Sequence, residues 1–177
     1  MKDDVRPARF RTEVGELPEG GRLPESARAP FATASPVREG HVDREGVKLW
    51  YGVWGDSGPW LAFAPVYQVV HAGFLKAVVP YLSRHFRVLV MDSRGNGRSD
   101  RPRGQEAYSF EHYYRDFLAV LDAAGADRAA VIGISATAMT AIRLAAEHPE
   151  RVTHLVVAGG FADMRVTSEA MARAVRA

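Results

Sequence analysis

Apolar and polar residues follow two alternating patterns along residues 41–177. Short apolar runs rich in β-branched side chains predict five strands, at 47–53, 60–64, 86–91, 129–134 and 152–158. Between them, apolar residues at helical spacing predict helices over 73–84, from 109 to 124 and over 136–148, with another starting at 167 or 168. Strands alternating with helices predict an α/β fold, a mostly parallel sheet with helices on both faces.

Two of these helices carry detailed expectations. In the helix over 73–84, the apolar face is expected to consist of Phe74, Val78, Tyr81 and Leu82. The helix from 109 has Ser109 as its N-cap and ends before Gly125, and six apolar residues recur along it: Phe110, Tyr113, Tyr114, Phe117, Leu118 and Leu121.

The first 40 residues lack either period. They hold five of the ten prolines, seven basic and seven acidic residues, and only Phe10 and Phe31 as aromatics. Such a segment buries too little apolar surface to offset its ordering entropy. We therefore interpret 1–40 as a disordered or linker-like arm, with docking to a partner as the functional alternative, and 41–177 as the folded part.

Composition removes several classes of chemistry. The chain has no cysteine, which excludes disulfides, thiolate metal sites and a cysteine nucleophile. Its formal net charge of +2 does not favour binding to nucleic acid or to an anionic membrane. The N-terminus lacks the apolar core of a signal peptide, and no run approaches the length of a membrane span, so we expect a cytoplasmic protein.

The junction at Ser135 is the strongest candidate for chemistry. A buried strand leads into this residue and a helix leaves immediately after it, within the run Gly133-Ile134-Ser135-Ala136-Thr137. In a parallel sheet, such a turn exposes its central side chain at the carboxyl edge, where ligands bind. The helix N-terminus behind it offers N–H groups to a developing oxyanion. The alternative is a plain strand-to-helix loop whose serine caps the helix.

Three motifs in succession resemble the α/β-hydrolase superfamily, in particular esterase-like members with an inserted cap domain. They are the loop 92–99 with its Gly95 and Gly97, the elbow at Ser135, and the run 147–152 before the last strand. The resemblance covers residue 41 to the end and implies the N-terminal portion of an α/β-hydrolase domain. It implies a serine nucleophile at Ser135 for carboxylic esters or related acyl bonds, with no metal or organic cofactor.

The same resemblance assigns supporting roles. The N–H of Ala136 would be one oxyanion donor, and the second, from the loop after the strand 60–64, is placed by position at Tyr67, because Pro65 has no N–H. Gly133 and Thr137 would shape the elbow, and Gly95 and Gly97 a turn with positive φ. Thr137 departs from the small residue that the family prefers there.

By the family's order, the acid and the histidine follow the cap, and the sequence reaches Ala177 before either. We expect this chain alone to be inactive because nothing takes the serine proton. A complementing chain, or self-association at an incomplete sheet edge, is the expected partner, and an acyl compound the substrate of the complete form. The alternative function is a non-catalytic hydrolase-like module that binds a small apolar ligand or a protein.

Other candidates have ordinary interpretations. His71 is the histidine nearest the predicted oxyanion loop, and a capping or surface role is favoured for it over catalysis. His112 and Asp116 share a helix face at metal-ligand spacing, but without a third ligand a solvated face is favoured. The loop 92–102 lacks the remaining residues of a phosphate-binding motif, and its interleaved charges predict a solvated loop.

Overall fold

Six strands form one sheet in the residues that the structure describes, which are 35–65 and 71–160 of a computed structural model. The strands are β1 (Arg38–Arg44), β2 (Val47–Trp54), β3 (Trp60–Phe63), β4 (Arg87–Met91), β5 (Ala129–Ile134) and β6 (Val152–Ala158). Their order across the sheet is β1-β2-β4-β3-β5-β6. The four strands β3 to β6 are parallel, and β2 is antiparallel to both β1 and β4. The predicted mostly parallel sheet is confirmed.

Strand β1 was not predicted. Its residues are charged or small and carry no apolar run, and it is held by pairing with β2 along its whole length, from Arg38 opposite Val53 to Arg44 opposite Val47. The hairpin turn has positive φ at Glu45 and Gly46, 58° and 80°. Residues 38–40, which we assigned to the arm, therefore belong to the sheet, while 1–34 lie outside the described residues.

Three α-helices and four short 3₁₀ turns connect the described strands. They are α1 (Val79–Leu82), α2 (Phe110–Ala123) and α3 (Ala138–Glu147), with the turns Ala72–Ala77, Gln105–Tyr108, Ser135–Thr137 and Pro149–Arg151. The Ser109 hydroxyl caps α2 by accepting the His112 N–H at 3.3 Å, and Gly125 follows the helix with a φ of 69°. Both ends agree with the sequence analysis. The helix expected from 167 or 168 lies outside the described residues.

The segment 73–84 is not one continuous helix. It consists of the 3₁₀ turn Ala72–Ala77 and the single turn α1, which has Pro80 in its first turn. The expected apolar face was wrong, because Phe74, Val78 and Tyr81 are exposed. Leu75 and Val79 are the buried residues instead. A 3₁₀ turn has three residues per turn, so the face it presents differs from that of a continuous α-helix.

Apolar side chains are buried on both faces of the sheet. One face packs against α2 and α3 through a core that includes Leu49, Leu89, Phe117, Val131 and Leu144. The opposite face packs under residues 72–82 through six buried residues: Leu61, Phe63, Leu75, Val79, Val88 and Val90. Each fully buried side chain of this size contributes about 1.5–3 kcal/mol of transfer free energy. These two layers fix the strand ends on which the loops are mounted.

Strand β6 is the outermost strand on its side of the sheet within the described residues. Leu155, Val156 and Val157 on this strand are 40%, 48% and 42% exposed, so apolar side chains are uncovered on both of its faces. Consecutive residues of a strand point to opposite faces, and a strand rich in such residues is typical of a sheet interior. No helix in the described residues has the length and apolar character needed to cross a bilayer.

Candidate active site

The backbone bends sharply at Ser135. Strand β5 ends at Ile134, the 3₁₀ turn Ser135–Thr137 follows at once, and α3 begins at Ala138. Ser135 has a φ of 54°, in the left-handed region that a residue with a side chain seldom occupies. It is an exposed residue at the carboxyl edge of the sheet. Backbone strain of this kind is concentrated at functional sites, and the bend presents the hydroxyl to solvent.

Gly133 allows the strand and the helix to approach closely beneath the turn. A Cβ at this position would lie 2.6 Å from the Ala138 Cα and 2.9 Å from the Ala141 Cβ. Ala138 and Ala141 are both fully buried, so the crossing is made entirely by small residues. Gly133 therefore allows α3 to begin close to the end of β5. This short distance makes the bend at Ser135 sharp.

Thr137 closes the same turn with its hydroxyl. The Oγ1 atom accepts the Ile134 N–H at 2.7 Å and donates to the Ile134 carbonyl at 2.9 Å. The side chain is 3% exposed and therefore packed. A β-branched residue fits at this position because both of its polar functions are satisfied by the residue preceding Ser135. Ala136 lies between Ser135 and Thr137 and is half-buried. It is at the N-terminal end of the helical segment, where N–H groups lack intrahelical acceptors.

The loop after β4 is anchored by Asp92. Its carboxylate accepts the Ala72 N–H at 2.6 Å through Oδ1 and the Arg98 N–H at 2.9 Å through Oδ2. A Cβ on Gly97, whose φ is 49°, would collide with this carboxylate. Asp92 thus joins the loop after β4 to the segment that follows the loop after β3. Tyr67, the expected second oxyanion donor, lies in that loop and outside the described residues.

Two further contacts complete this loop. The Ser99 hydroxyl accepts the Trp50 N–H at 2.9 Å and donates to the Asp92 carbonyl at 2.6 Å, which ties the loop to β2. Gly95 has a φ of 85°, and a Cβ there would lie 2.7 Å from the Tyr108 ring. Glycine at 95 and 97 therefore permits both the backbone conformation and the close packing.

A buried ion-pair cluster joins the loop after β4 to α2. Because of it, two expectations from the sequence are wrong. Arg94 donates to both oxygens of Asp116, at 2.6 and 2.8 Å, and Arg44 donates to Asp116 at 2.5 Å. Arg94 is 2% exposed and Asp116 is fully buried. The loop 92–102 is thus not simply solvated, and neither is the face of α2 that carries Asp116. His112 contacts Arg44 at 2.6 Å through Nδ1, so this pair serves the cluster.

The position of Asp116 was accessible from the sequence. It follows Tyr113 by three residues and precedes Val120 by four, which places it on the apolar face of α2. A charged residue on a buried helix face requires a partner of opposite charge. The nearby arginine-rich loop supplies that partner.

The histidines are not placed at the elbow. His71 is exposed, and its Nδ1 accepts the Gly73 N–H at 3.1 Å as the cap of the turn Ala72–Ala77. His148 follows α3 and lies 3.5 Å from the Glu150 carboxylate, and His154 is exposed on β6. In residues 35–65 and 71–160, the Ser135 hydroxyl has no hydrogen-bond partner. The described residues therefore bring no general base to it.

Charged groups also link α2 to α3, the helix that starts at the elbow. Arg143 on α3 binds Glu111 at 2.6 Å and Glu147 at 2.8 Å, and it lies 4.0 Å from the Tyr114 ring centroid. Hydrogen bonds from Arg143 lower the pKa of both carboxyls. Burial, followed by the nearby Glu147 carboxylate, raises the pKa of Tyr114 to about 12. These contacts fix α3 against α2 and so hold the helix behind Ser135.

Sheet order, elbow and loop together define an α/β protein with a strained serine turn between strand and helix. The chain matches the family model for the alpha/beta hydrolase fold over residues 68–175. It belongs to this family, as the sequence motifs indicated.

Individual relatives differ in their reactions. The chain is 34% identical over 121 residues to "Putative carbamate hydrolase RutD" of Caulobacter vibrioides, covering 67% of this chain and 38% of the relative. It is 39% identical over 71 residues to epoxide hydrolase B of Mycobacterium tuberculosis, covering 40% and 20%. A solved N-acyl homoserine lactone degrading enzyme has a TM-score of 0.61 at 34% identity, covering 68% and 45%. The chain spans 34% to 42% of the length of the carbamate hydrolase relatives.

Proposed function

We propose that this chain carries the nucleophile of a serine hydrolase for carboxylic esters or related acyl bonds, and that Ser135 is that nucleophile. The observation that supports this most strongly is the exposed Ser135 with a φ of 54° between β5 and α3. The names of two of the relatives refer to carbamates and to a lactone, and these compounds contain an acyl carbon bonded to oxygen or nitrogen. Epoxides do not, and the branch that opens them attacks with a carboxylate where this chain has a serine hydroxyl.

The proposed reaction begins with attack of the Ser135 Oγ on the acyl carbon. The new C–O bond converts the carbonyl oxygen to an oxyanion, which the Ala136 N–H and a second donor, proposed at Tyr67, would bind. Collapse of this intermediate breaks the bond to the leaving group and leaves an acyl-serine. The proton of the Ser135 hydroxyl passes to a base and then to the leaving group, and water completes the cycle through the same base.

We propose that the base and its acidic partner come from outside the described residues, through a complementing chain that pairs with β6; self-association is the alternative use of this edge. Two observations support this. The Ser135 hydroxyl has no partner in the described residues, and Leu155, Val156 and Val157 leave the β6 edge apolar and exposed. An unpaired apolar edge favours strand addition.

A reactive ester tests the nucleophile without requiring a general base. The chain is treated with p-nitrophenyl butyrate, and peptide mass spectrometry locates the butyryl adduct. Ser57, an exposed serine in the turn after β2, is the matched control within the same molecule. We expect the adduct at Ser135 to exceed that at Ser57 by at least ~100-fold, which is what one oxyanion donor contributes. Added imidazole should raise labelling at Ser135 and not at Ser57.

Equal labelling of the two serines would refute the assignment. The S135A variant must lose the Ser135 adduct while S57A retains it. The second candidate function is a non-catalytic module. It is favoured by the finding that no general base contacts the Ser135 hydroxyl among the described residues. It predicts no selectivity for Ser135 with or without imidazole.

A further inference from the structure

A cavity of about 260 Å³ lies on the face of the sheet opposite α2, between β2 and the segment 71–80. Trp50 and Trp54 line it from β2, and Ala72, Lys76 and Val79 from the other side. Ser135 does not line it. The strand β4 that ends beside the cavity is two positions from β5 in the sheet, which corresponds to ~10 Å. The described lining of the cavity therefore does not include the proposed nucleophile.

Gly52 builds the aromatic wall of this cavity. Trp50 and Trp54 are on the same side of β2, and their rings meet edge to face, with centroids 6.3 Å apart at 74°. A Cβ on Gly52, which lies between them, would be 2.8 Å from the Trp54 ring and 3.0 Å from the Trp50 ring. The two indoles close over the backbone only because this residue has no side chain. The wall they form is an apolar and aromatic surface.

Trp50 is held in place by two charged residues. Its Nε1–H donates to a Glu39 carboxylate oxygen at 3.1 Å, and that same oxygen accepts from Arg98 at 2.6 Å. The Arg98 guanidinium lies 4.3 Å from the centre of the Trp50 ring. Arg98 lines the cavity but is already paired, so it positions the indole and is not the cation available to a ligand.

The remaining polar groups favour an anion. Both Asp92 oxygens accept backbone N–H groups, and the residue is 3% exposed, so this carboxylate is already satisfied. Lys76 is exposed and has no ion pair in the part of the chain that the structure describes. His71 accepts the Gly73 N–H through Nδ1, so its neutral form carries a proton on Nε2. The lining thus offers one unpaired ammonium and one imidazole N–H.

We propose that this cavity binds a small monocarboxylate with an apolar or aromatic body. The body packs against Trp50 and Trp54, and the carboxylate is bound by Lys76, with the His71 Nε2–H as a second donor. The size agrees, since a cavity of about 150 Å³ holds one benzene ring, and 260 Å³ holds a ring with a short side chain. This binding is independent of the proposed function, because none of its residues is the nucleophile.

The test uses the full chain with 3-phenylpropionate and its uncharged counterpart 3-phenylpropionamide. Binding is followed by NMR titration of the indole N–H signals, with Trp60 as the internal reference outside the cavity. We expect the signals of Trp50 and Trp54 to shift, and the acid to bind about fivefold more tightly than the amide, the contribution of one partly exposed ion pair. K76Q should remove this preference and leave the affinity for the amide unchanged.

Two matched variants sharpen the result. K48Q makes the same charge change on β2 outside the cavity lining, and it should keep the preference for the acid. G52A forces the indoles apart and should weaken both compounds, while S135A should bind as the native chain does. Equal affinity for acid and amide, equal losses in K76Q and K48Q, shifts confined to Trp60, or no binding of either compound would each overturn the proposal.

Discussion

The Thr137 hydroxyl bonds both backbone groups of Ile134, accepting its N–H at 2.7 Å and donating to its carbonyl at 2.9 Å. A single side chain thereby closes the turn whose first residue is Ser135. The left-handed conformation of Ser135 is unfavourable for a residue with a Cβ, and it persists only where surrounding contacts enforce it. Thr137 supplies two such contacts, and the tight crossing at Gly133 supplies the third constraint.

Replacing Thr137 tests this directly. T137V keeps the shape of the side chain and removes the hydroxyl, which leaves the Ile134 N–H without its partner and should cost about 1–3 kcal/mol of unfolding free energy. T137S keeps the hydroxyl and should cost less than about 1 kcal/mol, the contribution of a methyl group. Urea unfolding measures both values, and butyryl labelling of Ser135 should fall in T137V alone. Equal losses in the two variants would contradict a dominant role of the hydroxyl in closing the turn.

The buried Asp116 cluster gives a second prediction. D116N should destabilise the fold by about 3–5 kcal/mol, because it leaves Arg94 and Arg44 without their common counter-charge. R115Q removes an arginine of the same helix from an exposed pair with Glu111, and it should change stability by less than about 1 kcal/mol. Chemical denaturation of the two variants measures the contrast. Similar small effects would contradict a structural role for the cluster.

Burial of Tyr114 predicts a dependence of stability on alkaline pH. Its pKa in the folded chain is raised to about 12, above the ordinary value of 10.0. The folded state therefore favours the neutral phenol, and this contribution is complete below pH 10 and lost as pH rises towards 12. Two units correspond to about 2–3 kcal/mol at the upper end of the range.

The Y114F variant isolates this effect. Phenylalanine keeps the ring against Arg143 and cannot ionise, so unfolding free energy should decline less steeply between pH 10 and 12 than in the native chain. The other tyrosines titrate in both proteins and cancel in the difference. Y81F, at an exposed tyrosine, serves as the control and should retain the native slope. Parallel slopes for the native chain and Y114F would contradict the raised pKa.

Strands and helices were predicted correctly from the sequence where apolar residues recur at the spacing typical of a strand or a helix. Strand β5 matched its predicted bounds and α2 agreed with its predicted cap and stop, because burial against a neighbouring layer imposes the pattern on the residues themselves. Strand β6 also matched its predicted bounds, although its apolar side chains are exposed among the described residues. Strand β1 was not predicted from the sequence, for the opposite reason. Its charged residues are held by backbone pairing to β2, which leaves no periodic signal.

At the site, local chemistry was predictable and distant contacts were not. A strand that leads into Ser135 and a helix that leaves it predict an exposed serine, since only neighbouring residues are involved. The pairing of Arg94 with Asp116 joins residues 22 apart and depends on where the loop meets α2. The two hydrogen bonds between the Thr137 hydroxyl and the Ile134 backbone depend on a side-chain rotamer, which a pattern of residue types does not specify.

The β6 edge gives the last prediction. Val156 is 48% exposed on a strand that has no neighbour on its outer side among the described residues, and a charge there should oppose pairing with another strand. V156K should shift sedimentation of the concentrated chain towards the monomer and reduce binding of a dye for exposed apolar surface. V37K introduces the same charge at a 63% exposed valine at the opposite edge of the sheet, just before β1, and should change neither measurement.

These outcomes separate the proposals from one another. If β6 receives a complementing chain that brings the base, V156K should also lower Ser135 acylation in the associated form, while imidazole should restore it in either variant. If the native chain is monomeric at every concentration and V156K changes nothing, the edge is not a pairing surface. The nucleophile assignment would still stand or fall on the selectivity for Ser135 over Ser57, since that comparison requires no partner.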